Sequence, residues 1–177
     1  MENAAMSLLA VFLCGYAANA DSMKDALRSF NAPSHRCQLV ADEGGVRYID
    51  DSKGTNVAST VAALSSLSGK KVIILGGKGK GEDYAPLAET VKKEALAAVV
   101  LGEERAKITA ALARVGFEAV LQAADMEDAV RQAAQFPGAE VVLLSPACTS
   151  WDMYPNYKKR GEHFREIVCR LKDGDNV

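Results

Sequence analysis

Aromatic residues are scarce, 6% of 177 positions, and a single tryptophan stands among them. So few rings cannot furnish the stacking platform that single-stranded nucleic acid requires. Nor is there an excess of positive charge: 21 Lys and Arg face 23 Asp and Glu, a formal net charge of -2. Counterion release at phosphates and attraction to an anionic bilayer are thereby excluded as driving forces. Nucleic acid and membrane surfaces are not expected partners. The four cysteines, Cys14, Cys37, Cys148 and Cys169, form no CxxC pair, and His35 and His163 are the only imidazoles. The clustered ligands of a structural zinc site are therefore missing, and the spacing suits free thiols in a reducing cytoplasm. The phosphate-loop pattern GxxxxGK followed by Ser or Thr occurs nowhere, and neither does a dinucleotide fingerprint with its distant acid. The apolar run Met6–Ala20 is too short and interrupted to span a bilayer. It also lacks the positive charge that opens a secretory leader, since Glu2 is the only early charge. A buried, Ala-rich helix is expected there.

What is present fits a globular core, with 49% hydrophobic and 25% charged residues. The length suits one α/β domain plus a fragment of another. Helices are expected over 3–18 and 21–30, the second opened by Asp21-Ser22. Ala32-Pro33-Ser34 breaks the pattern and marks a domain boundary. Two extended segments, Cys37–Ala41 and Val46–Asp50, flank Glu43-Gly44-Gly45, which is hairpin chemistry. Thereafter apolar runs at 71–75, 97–101, 119–121 and 140–144 alternate with helical patterns at 56–66, 87–94, 103–115, 126–135 and 161–171. Short β-branched runs between helices mean strands buried on both faces. The fold class predicted is α/β, a Rossmann-like, doubly wound, mostly parallel sheet with an initial antiparallel hairpin.

In such a sheet ligands gather beyond the C-terminal strand ends. Three polar loops sit there. Asp51-Ser52-Lys53-Gly54-Thr55-Asn56 precedes a helix whose Thr55 or Asn56 serves as cap, and its free N–H groups and Lys53 suggest an anion site. Gly76-Gly77-Lys78-Gly79-Lys80-Gly81 combines close backbone approach with positive charge. Ser145-Pro146-Ala147-Cys148-Thr149-Ser150-Trp151-Asp152 offers small hydroxyl donors beside the lone indole. Cys148 with His163 could make a thiol nucleophile, but a buried structural cysteine is the commoner arrangement. His35-Arg36 reads either as a phosphate fork or as a bare surface pair.

Ser34-His35-Arg36, then Tyr48-Ile-Asp-Asp-Ser-Lys-Gly-Thr-Asn56, Leu75-Gly-Gly-Lys-Gly-Lys80, and Leu144-Ser-Pro-Ala-Cys-Thr-Ser-Trp-Asp152 with Arg160-Gly161 and Phe164 appear in that order. Together they resemble the C-terminal domain of the Mur ligases, the ATP-dependent amino-acid ligases of peptidoglycan synthesis. Ser-Pro-Ala-Cys-x-Ser-x-Asp followed by Arg-Gly is similar to the branch of the family that adds D-glutamate. Glu2-Asn3-Ala4-Ala5 is similar to the end of the family's central-domain signature. The resemblance therefore implies two parts: residues 1–32 as the last helices of a central ATPase domain, and residues 33–177 as the amino-acid-binding domain.

Family members phosphorylate a substrate carboxylate with ATP, and an incoming amine attacks the acyl phosphate. By resemblance, Lys53, Thr55, Lys80 and Ser150 would hold the two carboxylates of D-glutamate, with Tyr157 at an aromatic contact position. Asp51 would accept hydrogen bonds from the ATP ribose, Asn3 would lie near adenine, and His35 and Arg36 near the phosphates. The whole enzyme would use ATP and Mg2+ in the cytoplasm as a monomer. UDP-N-acetylmuramoyl-L-alanine, the magnesium ligands and a carbamylated lysine would belong to domains outside this chain, so no turnover is expected of the chain alone. Departures from the family pattern are Gly54, where alanine is common, and the sizes of Trp151 and Tyr157. The alternatives are a domain of another Mur-type or folylpolyglutamate-type ligase, and a free-standing, non-catalytic ligand-binding domain.

Overall fold

The computed structural model describes residues 2–14, 20–29 and 33–172, and for 2–5, 8, 20 and 172 the backbone alone. The chain divides into two units between Pro33 and Ser34. In the first, α1 (Glu2–Leu13) and α2 (Ala20–Ser29) are helical. The stretch 15–18 and residue 30, where the sequence pattern continues both helices, lie outside the described residues. α2 already contains Asp21, so Asp21-Ser22 lies inside the helix and does not cap it. The expectation of a buried first helix is not met within this unit. Met6, Leu9, Val11, Phe12 and Leu13 of α1 are exposed, because the described residues of this unit hold no second apolar layer onto which the helix could fold. Among the described residues no helix is long and apolar enough to cross a membrane.

The second unit is a six-stranded sheet in the order β1-β2-β6-β3-β4-β5. β1 (Gln38–Glu43) and β2 (Val46–Asp50) form the antiparallel hairpin, turning at Gly44-Gly45. All remaining pairings are parallel, among β2, β3 (Lys71–Gly76), β4 (Ala95–Leu101), β5 (Val120–Gln122) and β6 (Val141–Leu144). The doubly wound, mostly parallel sheet expected from the sequence is the fold observed.

Alternation along each strand explains the two faces. Ile73, Leu75, Ala98, Val100, Val141 and Leu143 pack on one side, against α3 (Val57–Ser66), α4 (Ala85–Glu94) and α5 (Arg105–Arg114). Val72, Ile74, Val99, Val142 and Leu144 pack on the other, against α6 (Met126–Ala134) and α7 (Tyr157–Lys172). Side chains of period two sandwiched between helical layers bury every position of β3 and β6.

The helix ends follow local chemistry. Asp125 caps α6 by accepting from the Asp128 N–H, and Asn156 accepts from the Lys159 N–H, so α7 starts a turn before the expected Gly161. β6, last in sequence, inserts between β2 and β3. The order of strands therefore reverses beside β3, and the C-terminal ends of β2, β6 and β3 lie side by side at a topological switch point.

Ile73 is fully buried at the centre of the first face. Ile73→Ala is expected to cost about 2–5 kcal/mol through lost transfer energy and the cavity left behind, read as a lower urea midpoint with an unchanged slope.

Candidate functional site

Each of the three polar loops leaves one of those adjacent strand ends, and hydrogen bonds stitch them together. The Asp51 N–H donates to the Leu144 carbonyl (2.8 Å) and the Ala147 N–H to the Gly54 carbonyl (2.9 Å), joining the first loop to the third. Lys78 and Thr149 exchange backbone bonds of 2.9 Å each, joining the second loop to the third. That exchange needs Gly77, at φ +130, because a Cβ there would run into the Thr149 carbonyl.

Beneath the loops lies Arg160 of α7, 1% exposed. Its Nε donates to Ser52 Oγ (2.9 Å), Nη2 to the Ser52 carbonyl (2.8 Å) and Nη1 to the Cys148 carbonyl (3.1 Å). Ser52 Oγ in turn donates to the Tyr157 carbonyl (2.8 Å), and the Ser52 N–H to Asp50 Oδ1 (2.9 Å). Burial pulls the Arg160 guanidinium down to about 10, with nearby Cys148, Asp152, Tyr154 and Asp50 opposing, and it stays cationic at neutral pH. Sequence reasoning noted Arg160-Gly161 as part of a motif but did not foresee this hub. A buried Arg is detectable only through the loops that wrap it.

Above this support Lys53, Thr55, Lys80, Ser150 and Tyr157 line one hollow of about 240 Å³, with Thr149, Trp151 and Asn156 completing its wall. The Lys53 ammonium lies 4.3 Å from the centre of the Tyr157 ring, a cation–π contact that aims the side chain. Lys80 is exposed and makes no ion pair with a carboxylate among the described residues. Ser150 is 1% exposed, and its hydroxyl has no hydrogen-bond partner among the described residues. Such an orphan costs about 1–3 kcal/mol unless something arrives to satisfy it. Lys78 does not line the hollow and lies 3.9 Å from the Glu103 carboxylate. Trp151, 68% exposed, stands at the rim and does not cover the sheet edge.

Two expectations need correction. Two of the N–H groups at the N-terminus of α3 are already taken by the chain's own acceptors. Asn56 is its cap and accepts from the Ser59 N–H (2.8 Å), and the Glu82 carboxylate takes the Val57 N–H (2.7 Å). His35 and Arg36 are not a surface pair either. A positive φ of 63 turns His35 inward, to 5% exposure, where Nδ1 meets Asp50 Oδ2 at 2.7 Å and the ring lies edge-on to Tyr157. Gly161 makes room for that imidazole, since a Cβ would strike Nδ1. Arg36 alone is exposed.

Asp51 is buried, accepting from Ser145 Oγ (2.6 Å) and from the Cys37 N–H (3.2 Å). Burial raises its carboxyl above the usual range, and the Ser145 and Cys37 bonds oppose the rise. Asn3 falls outside the residues whose side chains are described. Among the described residues no three His, Cys, Asp or Glu side chains gather to hold a metal ion, so this set does not fit a magnesium centre.

Cys148 is no nucleophile in this setting. Its sulfur is 3.2 Å from the Tyr84 hydroxyl, and His163 Nδ1 is engaged at 2.8 Å by the Tyr154 hydroxyl. Burial pushes the Cys148 thiol up to about 11.

Known proteins resemble this chain in sequence and fold. The family described as Mur ligase, glutamate ligase domain, matches residues 35–148. The chain belongs to the Mur ligase family. A UDP-N-acetylmuramoylalanine–D-glutamate ligase of Pelotomaculum thermopropionicum is 43% identical over 98% of this chain and 38% of its own length. One of Hahella chejuensis is 49% identical over 82% of this chain and 33% of its own length. The chain thus spans about a third of the length of these relatives. Among solved structures, a UDP-N-acetylmuramate–alanine ligase of Thermotoga maritima matches 98% of this chain and 37% of its own, with TM-score 0.70 and 16% identity. An E. coli FolC in complex with ADP matches 96% of this chain and 40% of its own, with TM-score 0.63 and 19% identity. At those identities the shared property is the Mur ligase fold.

Thiol labelling of the native chain at pH 8 is expected to reach exposed Cys169 quickly, while Cys148 reacts only after denaturant is added. Mass spectrometry of the labelled peptides checks this, and early labelling of Cys148 would contradict its burial.

Proposed function

We propose that this chain contains the amino-acid-binding domain of an ATP-dependent ligase that adds D-glutamate to UDP-N-acetylmuramoyl-L-alanine in peptidoglycan synthesis. The observation that carries the reading is the hollow itself. Two lysines, a half-buried threonine and a buried, unpartnered serine hydroxyl converge on a space sized for a small diacid. The printed names of the sequence relatives support the same substrate.

In this reading Lys53 and Thr55 hold one carboxylate of D-glutamate, and Lys80 and Ser150 the other. Each charge-assisted bond contributes about 1.5–3 kcal/mol. Fixing both carboxylates leaves one hand of the amino acid with its amine aimed outward, which is how the site selects D over L. The amine attacks an acyl phosphate formed with ATP, displacing inorganic phosphate and losing a proton as the amide forms, and orienting that amine is the catalytic contribution of this chain. Asp51, rigidly held by Ser145, receives a ribose hydroxyl, and exposed Arg36 meets the nucleotide phosphates. His35 acts from below through Asp50, not by contact. Magnesium would be held by residues outside those described here. Since the reaction draws on ATP and a nucleotide-linked precursor, the reading puts the chain in the cytoplasm, as part of a monomeric enzyme.

Titration calorimetry with D-glutamate, L-glutamate, L-lysine and L-alanine is the test. D-glutamate is expected to bind and the other three to bind at least tenfold more weakly. Lys80→Ala or Ser150→Ala should each weaken D-glutamate by roughly tenfold to a hundredfold. A preference for L-glutamate would favour a folylpolyglutamate-type ligase, and absence of all binding would refute the assignment of the hollow.

A further inference from the structure

The loop between β3 and α4 brings Lys80 to the hollow, yet its own backbone is poorly suited to hold a charge still. Lys80 lies between Gly79 and Gly81, and Gly81 adopts φ +79 with open space around it. At its start the loop is pinned by the paired backbone bonds between Lys78 and Thr149. At its end Glu82 reaches across to the first turn of α3, where its carboxylate accepts the Val57 N–H at 2.7 Å. A carboxylate at a helix N-terminus is favoured by both the free N–H and the helix dipole. Asp83 next door makes only a local bond, to the Ala85 N–H.

We propose that Glu82 is a positioning residue: by tying this loop to α3, it sets Lys80 over the hollow. The inference rests on the reading of the hollow as a diacid site. The tie joins the loop that carries Lys80 to the helix that follows Lys53 and Thr55, so it fixes the distance between the two cationic sides of the site. Gly79 already packs against the buried Glu104 side chain, so without the tie the unpinned stretch grows from 80–81 to 80–83, as far as buried Tyr84. Each freed residue must then be ordered when a ligand binds, and that entropy is drawn from affinity. The tie also explains why α3 offers no N–H at Val57 to a ligand. The chain fills that position with its own carboxylate and leaves the ligand's charge to the lysines.

The test uses the whole chain, with Glu82→Ala, Glu82→Gln, Lys80→Ala and the double variant E82A/K80A. Backbone 15N relaxation reads the order at Lys80, and calorimetry reads D-glutamate affinity. E82A is expected to lower the Lys80 order parameter and to weaken D-glutamate by roughly fivefold. E82Q, whose amide oxygen still accepts the Val57 N–H, should restore both. In the K80A background, E82A should cost nothing further, because its effect passes through the lysine. Equal losses with and without Lys80, or an unchanged order parameter in E82A, would overturn the proposal. If the parent chain binds no D-glutamate, the reading of the hollow fails, and the order parameters alone decide the tie. Should E82A not fold, Glu82→Asp, one methylene too short to reach, replaces it.

Discussion

The buried guanidinium of Arg160 is the constraint on which this site depends. Three of its N–H groups end on Ser52 and on the Cys148 carbonyl, so one side chain of α7 fixes the loop after β2 and the loop after β6 together. Removing such a charge from water costs several kcal/mol, and it persists only where good acceptors replace the hydration shell. Here the acceptors are carbonyls and a hydroxyl, and among the described residues no carboxylate lies within ion-pair distance. The guanidinium therefore keeps its charge without neutralising itself against an acid. It also leaves a cationic potential under a hollow already lined by Lys53 and Lys80.

That arrangement separates two kinds of polar group. Those under the loops are satisfied: His35 by Asp50, Asp50 by the Ser52 N–H, Asp51 by Ser145 and Cys37. Those facing the hollow are not, since among the described residues Ser150 Oγ lacks a partner and Lys80 lacks a counter-ion. A satisfied floor under an unsatisfied surface is the form a preorganised anion site takes. The donors are already aimed, so little reorganisation is needed when the ligand enters. The cation–π contact of Lys53 with Tyr157 belongs to the same pattern, because it holds the lysine in place without neutralising it.

Much of this was legible in the sequence, for identifiable reasons. Val72–Leu75 of β3, and β4 and β6 throughout, are uninterrupted apolar runs, the pattern of strands buried on both faces. Lys53, Thr55, Lys80 and Ser150 come from loops that follow strands, where an α/β sheet gathers ligands, and Tyr157 opens the helix after the third loop. What could not be read is non-local. Nothing in Val141–Leu144 announces that β6 slips between β2 and β3, because parallel pairing leaves no mark on the sequence of either partner. His35 next to Arg36 looks like a surface pair until a left-handed turn sends the imidazole inward. Glu82, in a loop rich in glycine and lysine, looks solvated until α3 is beside it.

The fate of the α3 N-terminus shows why motif reading alone overreaches at such sites. A glycine-containing turn that leads into a capped helix invites an anion by its electrostatics, whatever the source of that anion. Here a carboxylate of the chain itself, Glu82, answers the invitation, and a side-chain amide oxygen, Asn56, takes another donor. A self-supplied anion is a fixed element of architecture, whereas a ligand's anion must come and go. The two roles are separable by position. The helix end, capped by Asn56 and tied by Glu82, is used for structure, while the ammonium groups of Lys53 and Lys80 line the open hollow. Selectivity for a small diacid then follows from the spacing of two cations set by the loops that carry them, with the helix dipole serving to hold one of those loops still.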